Sequence, residues 1–351
     1  MQKDLSILEA KFEAQKLAFG PIYFQAVMAM KKLGILQLIG RSRKGISIDQ
    51  IAKKLNLSCY GVEVLIEAAT SAGVVEILEE TKIKLTKVGV ILNSDQLTKV
   101  NLNFVNDICY EAAKFTTESI QNNKPEGLKV FGDWDTLYLG LNELPENAKK
   151  SWFDFDHYYS DDAFNDALEI VFEEKPKNIY DVGGNTGKWS LACCEYDSEV
   201  KVKILDLPTQ IKVTSENLSQ YEYSNRISYH PINLLDNSQI FPEGADVVWM
   251  SQFLDCFSEN EIYNIINKIV KAIDKDTSVF ILEPFIDNQK YPAAEYSLIA
   301  TSLYFTTVAN GNSKMYRQNK MIEIAQKAGL RLIKTNQLIG NSFHTILQFK
   351  L

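Results

Sequence analysis

The sequence predicts a doubly wound α/β domain in the second half of the chain, behind a mainly helical domain. Three observations predict it. From Lys177 onward, short apolar runs alternate with amphipathic helical segments, the pattern of parallel strands joined by helices. The first of these runs, Ile179, Tyr180, Asp181 and Val182, opens into a glycine-rich turn and then a helix-forming segment at Lys188. Residues 45–86 carry helix, turn, helix and hairpin in succession, the order of a winged helix-turn-helix. The expected division is a winged-helix domain over 1–100, a helical, aromatic-rich connector over 101–175 and a Rossmann-like domain over 176–351.

The chain opens with a charged helical stretch over residues 1–15. It continues through Ile22, Tyr23, Phe24, Ala26, Val27, Met28 and Met30, apolar nearly all round, until Gly34 interrupts. Such a helix near a terminus must be buried against something, and a second subunit is one candidate. Ser47 stands three residues before Gln50, a capping box that starts a helix over 48–55. Asn56, Leu57 and Ser58 make the turn, and Val62, Leu65, Ile66 and Ala69 then recur at helical spacing. Two short runs, 74–78 and 82–86, form a hairpin around Glu79, Glu80 and Thr81. A winged helix raises a DNA-binding regulator as the rival class. Its recognition helix, residues 60–71, carries Glu63 and Glu67 with no Lys or Arg, so phosphates would repel it. The module is expected to serve dimerisation instead.

Residues 101–175 are helical and rich in rings. Trp152, Phe153, Phe155, His157, Tyr158 and Tyr159 interleave rings with polar groups, which suits either a pocket wall for a flat substrate or plain core. In the α/β half the expected strands are 179–182, 200–205, 227–230, 245–250, 279–282, 330–335 and 343–349, the last closing the sheet antiparallel. Helices are expected at 210–220, after a Ser258/Glu261 capping box, at 293–309, and at 320–328 with Gly329 closing it.

Composition narrows the function. The 351 residues are 46 % hydrophobic and 23 % charged, an ordinary globular balance. A net charge of −8 with no dense basic face argues against a nucleic-acid partner. No run of about 18 apolar residues and no secretory-type N-terminal segment occurs, so no membrane partner is expected and the chain is placed in the cytoplasm. The five cysteines (Cys59, Cys109, Cys193, Cys194, Cys256) and three histidines (His157, His230, His344) lack metal-ligand spacing, so no metal is expected. The thiols are expected reduced and mostly buried.

The turn reads Asp181-Val182-Gly183-Gly184-Asn185-Thr186-Gly187. A dinucleotide fingerprint would read Gly-x-Gly-x-x-Gly, whereas this spacing is Asp-x-Gly-x-x-x-Gly. Asn185 tolerates positive φ better than other residues with a side chain, so the turn survives it. The next strand ends in Asp206, Leu207 and Pro208, where a carboxylate can accept hydrogen bonds from both hydroxyls of a ribose. Together these favour S-adenosylmethionine as the cofactor. Its candidate contacts are Asp181, Gly183, Gly184, Asn185, Gly187, Asp206 and Leu207, with Asn233, Leu234, Ser251 and Gln252 from the later strand ends.

On these motifs the chain resembles the small-molecule O-methyltransferases that carry an N-terminal winged-helix dimerisation domain, the group of the plant caffeate-type and bacterial polyketide-tailoring enzymes. The resemblance covers nearly the whole chain and implies a class I methyltransferase fold, S-adenosylmethionine and a homodimer formed through the N-terminal domain. The family's Asp-Val-Gly-Gly-Gly-Thr-Gly stands here with one change, at Asn185, and its Asp-Leu-Pro stands at Asp206, Leu207 and Pro208. The family's adenine-side Gly-Asp falls on Ile232 and Asn233. The catalytic Leu-His-Asp-Trp-Ser-Asp reads Leu254-Asp255-Cys256-Phe257-Ser258-Glu259, which puts Asp255 where the family has its general base. Of the two acidic residues that orient that base, the first is kept as Glu283 and the second falls on Met315.

Asp in place of His changes the proton chemistry. A histidine near pKa ~6.5 accepts a phenol's proton more readily than an Asp near ~3.9, a handicap of roughly 3–4 kcal/mol that burial would offset. Three outcomes stay open: transfer with Asp255 or His157 as base; transfer to a carboxylate or an activated ring carbon that needs no strong base; or a binding fold whose transfer has been lost or changed. The pocket walls are expected from Trp152, Phe155, Tyr159, Tyr304 and Met315, with Tyr296 and Phe305 as further candidates. A flat, neutral or weakly acidic small molecule is the expected substrate.

Overall fold

The computed structural model describes residues 4–78, 81–341 and 343–351. The chain divides into two compact units, Met1–Asn106 and Asp107–Leu351. The aromatic stretch expected to form a separate connector therefore belongs to the second unit.

The first unit starts with α1 (Ile7–Lys32), whose Ser6 and Glu9 form a capping box, and α2 (Ile35–Arg41), which begins after Gly34. α3 (Ile48–Leu55) opens on the Ser47/Gln50 capping box and stops at Asn56, which adopts the left-handed φ of +53°. α4 (Cys59–Ser71) follows with Ser58 as its cap, and β1 (Val75–Ile77) pairs antiparallel with β2 (Ile83–Leu85). The hairpin tip at Glu79 and Glu80 lies outside the described residues. Met30, Ile35, Ile39, Ile51, Ile66 and Ile83 make one core here. α5 (Lys87–Ser94) and α6 (Gln96–Phe104) complete the unit. Within this unit α1 buries only Met28 and Met30, so the apolar helix keeps most of its surface open.

The second unit leads in with α7 (Thr116–Asn122), α8 (Leu137–Gly140), α9 (Glu146–Ser160) and α10 (Phe164–Phe172). The sheet is then built in chain order from β3 (Asn178–Val182), α11 (Lys188–Tyr196), β4 (Lys201–Asp206), α12 (Pro208–Leu218), β5 (Ile227–Pro231), β6 (Val247–Ser251), α13 (Glu259–Val270) and β7 (Ser278–Glu283). α14 (Pro292–Tyr304), α15 (Gln318–Lys327), β8 (Arg331–Ile339) and β9 (His344–Lys350) complete it. Strand order is β5-β4-β3-β6-β7-β9-β8, parallel except that β9 runs antiparallel to both neighbours. The C-terminal strand is antiparallel, as expected, and it sits inside the sheet with β8 at the edge. β8 and β9 form a hairpin, and β9, buried at six of its seven positions, takes the inner place against β7.

Alternation along the strands builds two cores. Tyr180, Val248, Met250 and Ile281 face the apolar stripe of α13 (Ile262, Ile265, Ile266, Ile269) and Ile324 of α15. Ile179, Ile204, Trp249 and Phe280 face α10 and α11, where Trp189 stacks on Trp249 with ring centroids 4.1 Å apart. Helices therefore cover both faces, and the carboxyl ends of the parallel strands meet at one edge. Of the five thiols, Cys193 and Cys194 are buried, Cys109 and Cys256 half-buried and Cys59 exposed, so burial is less general than composition suggested. No single helix among the described residues is long and apolar enough to cross a membrane.

Candidate active site

The strand ends β3, β4 and β6 bring three loops together. Gly183, directly after β3, has φ +71° and donates its N–H to Leu205 O at 2.8 Å. A Cβ there would run into the ring of Phe253, which arrives from the loop after β6, so a close approach as well as the dihedral demands glycine. Asn185 does adopt positive φ, +48°, and its side chain is far from idle. Its Nδ2 donates to Asp156 Oδ2 of α9 at 2.9 Å, and its Oδ1 accepts from Gln210 Nε2 of α12 at 3.0 Å. Its carbonyl accepts from Thr214 Oγ1. The substitution that the sequence marks as a departure thus ties α9 and α12 to the glycine loop.

Asp206 ends β4. Its Oδ2 accepts the Asn185 N–H at 3.0 Å and its Oδ1 the Leu207 N–H at 2.7 Å, which fixes the carboxylate in the opening below the loop. Burial raises its pKa to about 6 against the pull of those two amides. Asp181, on β3, is 3 % exposed and accepts a 2.6 Å hydrogen bond from Ser190 Oγ of α11. Burial lifts it to about 7, the Ser190 bond opposing and the Asp206 charge adding.

The loop after β6 carries Asp255. Glu283, at the end of β7, holds it from beneath: Oε1 accepts the N–H groups of Phe253 at 3.2 Å, Leu254 at 3.0 Å and Asp255 at 3.4 Å. From the other side Asn310 Nδ2 donates to Cys256 O at 2.6 Å and Tyr316 OH to Phe257 O at 2.7 Å. Asp255 is 5 % exposed, and the Cys256 thiol reaches its Oδ1 at 3.4 Å. Burial raises its pKa to about 7, with the thiol bond opposing and the Asp156 charge adding. Glu283 is pushed well above the usual carboxylate range by burial and by the Asp255 charge.

These loops enclose a cavity of about 420 Å³ with the apolar walls and sparse polar groups usual in small-molecule sites. Asp206, Leu207, Asn233 and Leu234 line one part, and Trp152, Phe155, Tyr304, Phe305, Met315 and Asp255 line another; Gly183, Asn185 and Gln252 also face it. A smaller recess beside the glycine loop is bounded by Asp156, His157, Asp181, Gly184, Ser251 and Gln252. Asp255 and His157, the two candidate bases, therefore stand at different openings. Tyr159 lines neither: its ring packs on Phe155 with centroids 4.8 Å apart. Gly187 also stands back, with Leu218 against its Cα, and Tyr296 is exposed. The Glu283 carboxylate accepts from backbone N–H groups of the Asp255 loop and does not line the cavity. Asn233 spends its side chain on the Leu235 N–H at 3.0 Å, shaping a turn at the cavity wall.

Sequence reasoning missed Asp156, Gln210, Thr214 and Asn310. Only the polar interruptions in the run from Trp152 to Tyr159 hinted at the first.

The residues present fit S-adenosylmethionine. A fixed carboxylate at Asp206 suits a ribose, Gly183 lines both the cavity and the recess, and among the described residues the buried Gln252 Nε2 has no hydrogen-bond partner at the junction of the two.

Comparison with known proteins agrees. A family profile described as O-methyltransferase domain matches residues 162–331, and one described as Dimerisation2-like domain matches residues 11–82. An L-tyrosine C(3)-methyltransferase of Streptomyces lavendulae is 23 % identical over 316 residues, 89 % of this chain and 85 % of that protein. Acetylserotonin O-methyltransferase of Gallus gallus is 21 % identical over 329 residues, 90 % of each chain. Among solved structures, the S-adenosylmethionine-dependent methyltransferase SibL in its apo form superposes with a TM-score of 0.72 at 20 % identity, covering 95 % of this chain and 97 % of that one. At that identity the last likeness speaks for the fold.

Proposed function

This chain belongs to the S-adenosylmethionine-dependent methyltransferases that join a dimerisation2-like domain to an O-methyltransferase domain, and from that premise we propose that it methylates a hydroxyl of a small aromatic molecule with Asp255 as the base. When bound, the cofactor supplies an electrophilic methyl group on a sulfonium. The protein's own task is then alignment and removal of the acceptor's proton.

One observation carries the reading: a carboxylate 5 % exposed, at the wall of an aromatic cavity, with its pKa lifted to about 7. An Asp in that range accepts a proton near neutrality nearly as well as the histidine it replaces. Glu283, Asn310 and Tyr316 hold its loop by the backbone, so the carboxylate is positioned before any acceptor arrives. Trp152 Nε1 donates to Tyr304 OH at 2.7 Å, which locks two rings of the acceptor wall together. Asp206 would hold the ribose, and the recess at Ser251 and Gln252 the amino-acid end of the cofactor. His157 faces that recess, which favours a binding role for it over proton removal.

The test is a pair of variants. Asp255→Asn should lose about 10²-fold or more in kcat/KM while binding S-adenosylhomocysteine normally, and His157→Gln should keep most of its turnover. Full turnover in Asp255→Asn would remove the base from this account. Product analysis by mass and NMR would then show whether a ring carbon is the acceptor, as the name of the Streptomyces lavendulae relative suggests.

A further inference from the structure

The glycine loop and the acceptor wall meet at one side chain. α9 presents Trp152, Phe155 and Asp156, at helical spacing, to the lining of the cavity. That face is fastened at two points one helical turn apart. On the acceptor side Trp152 Nε1 donates to Tyr304 OH of α14 at 2.7 Å. On the cofactor side Asp156 Oδ2 accepts from Asn185 Nδ2 at 2.9 Å. Asp156 has other neighbours as well, since Lys188 and His157 bound the same recess.

Every polar atom of Asn185 is bonded. Its N–H donates to Asp206 Oδ2 at 3.0 Å and its carbonyl accepts from Thr214 Oγ1. A carboxylate only accepts, so Nδ2 must turn to Asp156, which leaves Oδ1 for Gln210 Nε2 at 3.0 Å. A glycine at the same φ of +48° would keep the two backbone bonds and lose both side-chain ones. The turn therefore does not need the amide. What the amide adds is a continuous chain of bonds from Asp206, where a ribose would bind, to the helix that carries Trp152 and Phe155.

We propose that Asn185 is a positioning residue for methyl transfer. Through Asp156 it passes the immobilisation of the cofactor loop into α9, and so sets the rings of Trp152 and Phe155 against the acceptor. The inference rests on the methyltransferase reading, because it needs the cofactor at Asp206 and the glycine loop.

The test uses the full chain with S-adenosylhomocysteine as the probe, whose binding is recorded first by calorimetry. Amide hydrogen exchange is then followed by mass spectrometry in peptides of the glycine loop, residues 181–190, and of α9, residues 150–159, with and without the probe. In the wild type both should exchange about threefold or more slowly when it is bound. Asn185→Gly should keep the slowing in the loop and lose most of it in α9. Asn185→Asp sets two carboxylates face to face and should lose it too. Asn185→Asp combined with Asp156→Asn restores a donor and an acceptor with their places exchanged, and should recover it. That rescue separates the bond from whatever else Asp156 touches, since a merely structural role for Asn185 gives no rescue. Equal slowing of α9 in the wild type and Asn185→Gly would overturn the proposal. So would a wild-type α9 indifferent to a probe that slows the loop, or a folded double variant no better than Asn185→Asp. Asn185→Gly keeps the backbone bonds of the turn, so the first comparison stands even if a carboxylate variant fails to fold. A protein that does not bind S-adenosylhomocysteine fails the cofactor reading instead, which the first titration shows separately.

Discussion

At the scale of single residues, Asp255 sets the pH behaviour. It must be unprotonated to accept a proton, and burial puts its pKa at about 7. The logarithm of kcat/KM should therefore climb with unit slope below about pH 7 and level off above it, and the inflection should vanish in Asp255→Asn. For stability the sign is opposite. The unfolded chain titrates this Asp near 3.8, so between about pH 4 and pH 7 the folded state holds a proton that the unfolded state has lost. That contribution is present at low pH and fades as pH rises through the folded pKa. Asp181, at about 7, and Asp206, at about 6, add in the same direction. The melting temperature of the free protein should fall between pH 5 and pH 8, as a fluorescence melt at several pH values would record; a rise over that range would contradict the assigned shifts. The cofactor loop was legible because its motif is local: seven consecutive residues and a carboxylate at the next strand end. What Asn185 does was not legible, since Asp156 lies 29 residues before it and Gln210 25 residues after it. Only the fold brings them together.

At the scale of elements, capping chemistry was read most securely, because each box spans four residues. Ser258 shows its worth. Its N–H and Oγ both donate to Glu261 Oε2, at 2.8 and 2.6 Å, and the Glu261 N–H returns to Ser258 Oγ, opening α13 within three residues of Asp255. Ser258→Ala should cost about 1 kcal/mol, a drop of roughly 2–4 °C in Tm, whereas Ser258→Thr, whose hydroxyl can still accept the Glu261 N–H and donate to its carboxylate, should cost much less. Equal melting temperatures for wild type and Ser258→Ala would mean that the box adds nothing to the folded unit. The inner seat of the antiparallel final strand was not legible, for the opposite reason. Its alternation and length fix it as a strand, but its seat between β7 and β8 depends on pairings between Glu283 and Thr345 and between Ile339 and His344, which no local pattern encodes. The helix over 293–309 likewise hides a change of pitch. It is α-helical to Tyr304 and π-helical over Phe305–Ala309, and the turn that widens carries Phe305 on the cavity wall.

At the scale of the whole molecule, the first helix poses the largest unanswered demand. Along α1, Leu8 is 78 % exposed, Leu17 79 % and Ile22 66 %, with Phe12 and Phe19 half open beside them. Scattered apolar side chains need no explanation, but Leu8, Phe12, Phe19 and Ile22 recur on one face of α1, with Leu17 opposite, and four on one face form more continuous apolar surface than a monomer usually presents. The dimerisation2-like profile begins at residue 11, inside this helix. A symmetric dimer would use each of these side chains twice, so burial worth about 1.5–3 kcal/mol for each fully covered one accumulates quickly across the interface. Light scattering at micromolar concentration should therefore give twice the chain mass of 39.8 kDa. Changing Leu8, Phe12 and Ile22, which share one face of α1, together to Glu should shift the protein to monomer, because six carboxylates would then meet across the two-fold axis. Since α1 contributes only Met28 and Met30 to the buried core of its own chain, the substituted protein should keep its fold and its affinity for S-adenosylhomocysteine. A wild-type chain that runs as a monomer at tens of micromolar would leave the apolar face of α1 to some other partner, and a triple variant that stays dimeric would move the interface off this helix.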